Sequence, residues 1–151
     1  MYAKILVAID GSETSKRALH AAIQLACDHH AQLQALYVID NPPVLSEAGY
    51  YDPTTLRAAL IEEAERVCAD ASKAMQAASV ASATELVEVE LVGDDIAHQI
   101  EQGAKRYGAD LVVMGTHGRR GMRRLLLGSV AERFLRISTC PILLIPAPHD
   151  D

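Results

Sequence analysis

A glycine-rich stretch towards the end of the chain has the residue types of an anion-binding site. It reads Gly115-Thr116-His117-Gly118 and, after a run of arginines and leucines, reaches Gly128-Ser129. Glycines tolerate positive φ and let backbone N–H groups approach a ligand without a Cβ in the way. Ser129 opens a segment with helical spacing, and the free N–H groups at a helix N-terminus attract negative charge. The chemistry that these residues could support is the binding of a phosphate group.

The same residues also permit a purely structural interpretation. Glycine after a strand often marks only a turn. Ser129 could be a helix N-cap that forms a capping box with Glu132. The arginines between the glycines could be a solvated surface; they are Arg119, Arg120, Arg123 and Arg124. Taken alone, these residues leave both interpretations open.

Composition narrows the classes of protein. The chain has 151 residues, half of them hydrophobic, and a formal net charge of −6, which favours one domain and argues against a nucleic-acid or anionic-membrane binder. The three cysteines and six histidines show no ligand spacing, so we expect neither a disulfide framework nor a metal site built from side chains alone. No apolar run reaches about eighteen residues, and the N-terminus lacks the order of a signal peptide. We therefore expect a cytoplasmic protein without membrane insertion.

The elements that must position the glycine stretch alternate between strand and helix. Apolar runs predict strands at residues 5–9, 33–39, 111–114 and 141–145, and a more alternating pattern predicts an edge strand at 85–92. Helical spacing predicts helices after an N-cap at Ser12, over residues 56–78 with a Glu62–Arg66 ion pair, after Asp95, and from Val130. Segment 41–53 has no period and is expected to be a loop, either a flap over a ligand or a surface excursion.

This alternation predicts an α/β fold. It implies a parallel sheet with right-handed crossovers and helices on both faces. In open parallel sheets, ligands bind beyond the carboxyl ends of the strands, where the strand order reverses. The glycine stretch directly follows the predicted strand at 111–114, so it is expected at that end of the sheet.

Several familiar motifs are excluded by spacing. Residues 11–16 lack the second glycine of a Walker loop, and the glycines follow the fourth predicted strand, whereas a dinucleotide fingerprint follows the first. There is no G-x-S-x-G nucleophile elbow, and no serine, histidine and acid are spaced as a triad. Nothing in the sequence therefore indicates catalysis.

The spacing Gly115-x2-Gly118-x9-Gly128-Ser129 resembles the G-2x-G-9x-G-(S/T) nucleotide loop of the ATP-binding universal stress protein (UspA) family. Segments 128–133 and 140–146 look like that family's C-terminal block. The resemblance implies a universal stress protein domain over residues 1–146 with a short tail at 147–151. It also implies one open five-stranded parallel sheet of order 3-2-1-4-5, a Rossmann-like fold of the adenine nucleotide alpha hydrolase type. Asp10 and Gly115 would then face each other across the crevice.

Carried over position by position, the resemblance implies a nucleotide site. Val38 would meet the adenine through its backbone, the glycine stretch would wrap the ribose and phosphates, and Ser129 would bind phosphate. Asp10 would accept a ribose hydroxyl or hold Mg²⁺ beside the phosphates, against the alternative of a plain turn residue. The ligand would be ATP, with ADP and AMP as alternatives. The implied residues are Ala8, Ile9, Asp10, Val38, Met114, Gly115, Thr116, His117, Gly118, Arg119, Arg120, Gly128, Ser129 and Val130.

The resemblance also implies a role. It is a nucleotide-dependent regulatory switch in stress response, acting on a partner that could be a membrane transporter or a cytoplasmic enzyme, with ATP hydrolysis weak or absent. The alternatives are a slow ATPase or nucleotide-transferring enzyme, and an interaction module that does not use nucleotide. The apolar strand at 142–145 favours a homodimer formed by edge pairing, with higher oligomers left open.

Overall fold

The computed structural model describes residues 1–40, 53–89, 93–118 and 127–148. Within these ranges the strands and helices alternate, as predicted. In chain order they are β1 (Lys4–Ile9), α1 (Glu13–His29), β2 (Gln32–Ile39), α2 (Pro53–Ala77), β3 (Ser82–Glu88), α3 (Ile96–Tyr107), β4 (Leu111–Gly115), α4 (Ser129–Ile137) and β5 (Ile142–Ile145). The loop predicted at 41–53 lies outside the described residues except for Pro53, which begins α2.

The five strands form one parallel sheet in the order β3-β2-β1-β4-β5. This is the order that the family resemblance implied. The strand order reverses between β1 and β4, so the crossovers leave these two central strands in opposite directions and open a crevice at their carboxyl ends. β3 and β5 are the two edges, as predicted.

The sheet is covered on both faces, which explains why its central strands are apolar without alternation. Ile5 and Val7 point into the core on the α1–α2 side, and Leu6 points into the core on the α3–α4 side. On α1, three alanines that are at most 2% exposed let the helix backbone approach the sheet closely: Ala18, Ala22 and Ala26.

Local capping fixes the ends of two helices as the sequence predicted. Ser12 is the N-cap of α1 and its side chain accepts the N–H of Ser15 at 3.2 Å. Asp95 is the N-cap of α3 and accepts the N–H of His98 at 2.8 Å. The caps place the first turns of α1 and α3 at the carboxyl end of the sheet, beside the crevice.

Two predictions about single elements are wrong. β3 runs from Ser82 to Glu88 and not over 85–92, because its parallel register with β2 pairs Leu33 with Ser82 and Ile39 with Glu88. Residues 90–92 lie outside the described part of the chain. Arg66 does not pair with Glu62. Its Nε donates to one oxygen of Glu63 at 3.0 Å, and its Nη2 donates to the other at 2.7 Å. Such a bidentate contact is stronger than an ion pair made through one hydrogen bond.

Candidate functional site

An open cavity of about 850 Å³ lies beyond the carboxyl ends of β1, β2 and β4. Its wall also includes the first turns of α3 and α4 and the stretch from Gly115 to Gly118. Small-molecule sites typically have volumes of roughly 300–1,000 Å³, so the cavity has room for a ligand of nucleotide size. Its position is the one expected for a ligand site in an open parallel sheet.

The structure brings together every described residue of the site that the sequence analysis named. Arg119 and Arg120 lie outside the described residues. The role of each residue as a ligand contact stays a prediction. The residues that line the cavity from this set are Ala8, Ile9, Asp10, Val38, Met114, Gly115, Thr116, His117, Gly118, Gly128, Ser129 and Val130.

The glycines of the stretch are required by close packing against the protein itself. A Cβ on Gly115 would lie 2.6 Å from Thr14 Cγ2, and a Cβ on Gly118 would lie 2.7 Å from Asp10 Oδ2. A Cβ on Gly128 would lie 3.0 Å from the carbonyl oxygen of Thr116. The described residues with positive φ do not include any of these glycines. The structure therefore shows neither positive φ at these glycines nor a ligand contact; it shows a third reason for glycine, which is contact with other parts of the protein.

The N-terminus of α4 opens on the cavity without a side-chain cap. Its N-cap is Gly128, whereas α1 and α3 are capped by Ser12 and Asp95. Gly128 is held in place because its N–H donates to the carbonyl oxygen of Thr116 at 2.7 Å. Among the described residues, no side chain accepts the first N–H groups of α4, so they remain available to an anion.

The capping-box alternative for Ser129 is wrong. Ser129 is the first residue of α4 and follows the N-cap. Glu132, which would complete the box, donates its own backbone N–H to the carbonyl oxygen of Gly128 at 2.9 Å, and its carboxylate accepts from Arg136 at 2.7 Å. The tertiary contact between Gly128 and Thr116 shifts the helix start by one residue relative to that expectation.

Asp10 is fixed at the crevice by its own backbone and by the first turn of α1. Its N–H donates to Ser15 Oγ at 2.9 Å, and its Oδ1 accepts the N–H of Ser12 at 2.9 Å. The second contact is the turn role that the sequence left open. The other oxygen, Oδ2, faces Gly118 at the cavity wall. One carboxylate oxygen therefore orders the turn, and the other faces the cavity.

His117 carries a buried ring nitrogen on the cavity wall. Its Nδ1 lies 3.0 Å from Thr116 Oγ1, which orients the ring. Its Nε2 is buried and has no hydrogen-bond partner within the described ranges. Buried polar atoms are nearly always hydrogen-bonded in folded proteins, so this nitrogen is one of two exceptions among the described residues, and its lack of accessible surface keeps it from the open part of the cavity.

The cavity lining includes apolar residues of two kinds. Leu36, Ala97, Ile100 and Met114 are core residues at most 4% exposed, and Ala8, Val38, Ile96 and Val130 are only partly buried. Val38 lies one position beyond the last residue pair of the β1–β2 ladder, Ile9 with Tyr37.

Several cavity residues were missed by the sequence analysis. Ser15 had no signal beyond helical spacing, and Leu36 and Ile100 looked like ordinary core residues. Asp95 was predicted only as a cap. Its carboxylate Oδ2 also forms an ion pair with Nε of Arg133 from α4, and both residues line the cavity. This pair joins two helices that are distant in sequence, so no local pattern could reveal it.

The thiols lie away from the cavity. Burial raises the pKa of the Cys68 thiol, and burial is also the main cause of the raised pKa of Cys140. Both therefore favour the protonated, weakly nucleophilic form at neutral pH. Cys27 is exposed, and all three cysteines are free.

No group of three or more His, Cys, Asp or Glu residues in the described ranges is arranged to hold a metal ion. In those same ranges, no helix is both long enough and apolar enough to cross a bilayer.

Comparison with known proteins gives a consistent result. The model of the universal stress protein family matches residues 1–146. Universal stress protein MJ0531 of Methanocaldococcus jannaschii is 34% identical over 151 residues, covering 100% of this chain and 86% of that protein. The crystal structure of a universal stress protein family member from Burkholderia pseudomallei is 46% identical, with 97% of each chain covered and a TM-score of 0.78.

A third similar protein has been solved with a ligand. It is a universal stress protein in complex with cAMP, 25% identical to this chain, with a TM-score of 0.63 and coverage of 96% of this chain and 97% of that one. The family model, the relatives and the sheet order agree, and the chain therefore belongs to the universal stress protein family.

Proposed function

We propose that the protein binds ATP in the cavity, with the phosphates at the N-terminus of α4. The observation that carries the proposal is that α4 begins at the cavity wall with Gly128 as its N-cap and no side-chain cap. Unsatisfied N–H groups and the helix dipole favour an anion at that point. The helix capped by Asp95 points at the same cavity but already has a carboxylate on its first turn.

The residues around the cavity fit the parts of a nucleotide. The partly buried apolar residues Ala8, Ile96 and Val130 suit the adenine ring, and Val38 offers backbone groups at its edge. Asp10 Oδ2 is placed to accept a ribose hydroxyl. Ser129 is exposed and lines the cavity, so its hydroxyl is suited to a phosphate oxygen.

Asp10 also fits a magnesium ion bound together with ATP. Mg²⁺ is commonly held by one or two carboxylates together with phosphate oxygens. Asp10 Oδ2 is such a carboxylate oxygen at the crevice. When bound, the ion would neutralise part of the phosphate charge.

The solved relative in complex with cAMP supports an adenine nucleotide as the ligand class. The choice of the triphosphate rests on the uncapped helix and the glycine spacing.

The role that follows is a nucleotide-dependent switch in stress response. A nucleotide at this position would contact β1, β2, β4 and α4 at once, and so favour one arrangement of the glycine stretch over others. A partner protein could then distinguish the bound state from the free state. Hydrolysis is expected to be weak, because phosphoryl transfer depends on strong charge stabilisation, and Arg133, which is the only lysine or arginine among the described cavity residues, is already paired with Asp95.

The outer edge of β5 supports pairing with a second copy. The carbonyl oxygen of Pro141 accepts the N–H of Val112 in β4, and that of Ile145 accepts the N–H of Thr116 directly after β4. In a parallel ladder the intervening residues, Ile142 and Leu144, direct their own N–H and C=O groups to the other side. Antiparallel pairing of two β5 strands across a two-fold axis would satisfy these groups and form a homodimer.

The nucleotide proposal is tested by the content of the purified protein. Freshly purified protein is denatured, and the released nucleotide is identified by chromatography; refolded or ligand-free protein is then titrated with Mg-ATP. ATP released at close to one per chain, or a single saturable site for added Mg-ATP, is the expected result. Protein that carries no nucleotide and also fails to bind added Mg-ATP would leave an interaction module without a nucleotide as the better account. Rapid turnover of ATP would favour an enzyme.

A further inference from the structure

We propose that Arg133 recognises the phosphate chain and makes the site prefer a nucleoside triphosphate over a monophosphate. This inference rests on the proposed function and assigns selectivity to a residue outside the glycine stretch. Asp95 acts with Arg133 as a positioning residue.

The place of Arg133 on α4 directs its side chain towards the phosphate end of the cavity. Arg133 lies four residues after Ser129, so the two share one face of the helix. Side chains on a helix lean towards its N-terminus, which brings the guanidinium over the uncapped first turn. Arg133 lines the cavity, and its side chain is 51% exposed, so a ligand can reach it.

Asp95 fixes the orientation of the guanidinium. Its Oδ1 accepts the N–H of His98 at 2.8 Å as the cap of α3, and its Oδ2 pairs with Arg133 Nε. The carboxylate is thus held by α3 while it holds the arginine. The ion pair is made through Nε, the inner nitrogen of the guanidinium, while Nη1 and Nη2 form its outer end. These two terminal nitrogens can donate to two phosphate oxygens at once.

The charges on the cavity wall explain why Arg133 should raise the affinity for a triphosphate more than the affinity for a monophosphate. The described lining residues include three carboxylates, on Asp10, Asp40 and Asp95, and Arg133 is the only lysine or arginine among them. Each added phosphate group brings more negative charge towards these carboxylates, and the attraction to the guanidinium rises with it. A monophosphate that occupies only the start of α4 gains less from the arginine.

The test compares nucleotide affinities in matched variants. Arg133→Gln removes the cavity guanidinium. Arg136→Gln removes an arginine of the same helix that is 75% exposed, pairs with Glu132 at 2.7 Å and does not line the cavity. Calorimetric titration with Mg-ATP and with AMP is carried out at one fixed ionic strength, and thermal unfolding checks that each variant is folded.

We expect Arg133→Gln to weaken ATP binding at least about tenfold and AMP binding less than about threefold, as for the loss of charged hydrogen bonds. Arg136→Gln should leave the ratio of the two affinities unchanged. Since Arg133→Gln leaves Asp95 without its partner, the double variant Asp95→Asn/Arg133→Gln repeats the comparison, with asparagine retained as a cap. It should still discriminate less than the wild type, although by a smaller margin than Arg133→Gln, because a cavity carboxylate is removed as well.

The outcomes separate this inference from the proposed function. Wild-type protein that binds ATP, together with an Arg133→Gln variant whose ratio of ATP to AMP affinity is unchanged, would overturn the inference alone. An equal loss of discrimination in Arg136→Gln would also overturn it, since the effect would then come from net charge. Wild-type protein that binds neither nucleotide would overturn both proposals.

Discussion

Three glycines bring the cavity wall into contact with other parts of the protein. Gly115 packs against Thr14, Gly118 against Asp10, and Gly128 against the backbone of Thr116. The sequence predicted these positions through their spacing. It could not give the reason for them, because the atoms that crowd each glycine come from α1, from the turn after β1 or from another part of the loop.

Replacing Gly115 by alanine should destabilise the fold through Thr14. The new Cβ would lie 2.6 Å from Thr14 Cγ2 and 3.2 Å from Thr14 Cβ. We expect the free energy of unfolding to fall by about 1–3 kcal/mol, as for overpacking in a core. Thr14→Ser removes only the Cγ2 methyl group, so the double variant should recover part of this loss. Urea denaturation of the four proteins measures the coupling. Additive effects, within about 0.5 kcal/mol, would rule out this contact as the cause.

Replacing Gly118 by alanine should reduce ligand affinity with little loss of stability. Gly118 is exposed and is not among the residues with positive φ, so alanine suits its backbone. Its Cβ would lie 2.7 Å from Asp10 Oδ2 and would displace the carboxylate oxygen that faces the cavity. Titration with Mg-ATP should show a loss of at least about tenfold, consistent with one charged contact. An unchanged affinity in the folded variant would mean that Asp10 does not contact the nucleotide.

At the scale of elements, local sequence signals predicted two helix caps correctly, but they did not predict element boundaries that depend on tertiary contacts. Ser12 and Asp95 cap their helices through contacts within three residues, so the sequence contains all the information. The start of α4 depends on the bond from Gly128 to Thr116, and the limits of β3 depend on its register with β2. Both were predicted wrongly because the partner that fixes them belongs to another segment.

Placing a negative charge on the first turn of α4 should stabilise the protein and at the same time weaken the binding of Mg-ATP. Ser129→Asp puts a carboxylate where the helix dipole favours it, and the free energy of unfolding should rise by about 0.3–1 kcal/mol. The same carboxylate would repel phosphate, so the affinity for Mg-ATP should fall at least about tenfold. Ser129→Asn is the matched control with similar shape and no charge. If the aspartate and asparagine variants bind Mg-ATP equally well, the phosphates do not lie at this helix.

At the scale of the whole molecule, the sheet order creates the cavity. The reversal between β1 and β4 brings together the end of β1, the stretch after β4 and the start of α4. The alternation of elements predicted a parallel sheet, but its strand order came from the family resemblance. Leu36, Ile100 and the Asp95–Arg133 pair could not be assigned to the cavity beforehand, since distances between helices are not encoded in any local pattern.

The proposed dimer depends on a backbone group that proline removes. Leu144 directs its N–H to the outer edge of β5, and its side chain packs against the α3–α4 side of the core. Leu144→Pro should therefore yield a monomer, while Leu144→Ala, which loses a similar amount of packing but keeps the N–H, should remain a dimer. Sedimentation analysis of both variants and the wild type distinguishes them. A wild-type monomer, or a proline variant that still dimerises, would contradict pairing through β5.

The central claim is that an adenine nucleotide binds at the carboxyl end of the sheet with its phosphates at α4. The most direct test is an amide NMR titration of isotope-labelled protein with Mg-ATP. The account predicts saturable shifts, largest at Ser129 and Val130 and present at Val38. Shifts confined to the groove between α1 and α2, which is lined by Leu19, His20 and Val67, or no shifts at all, would contradict it.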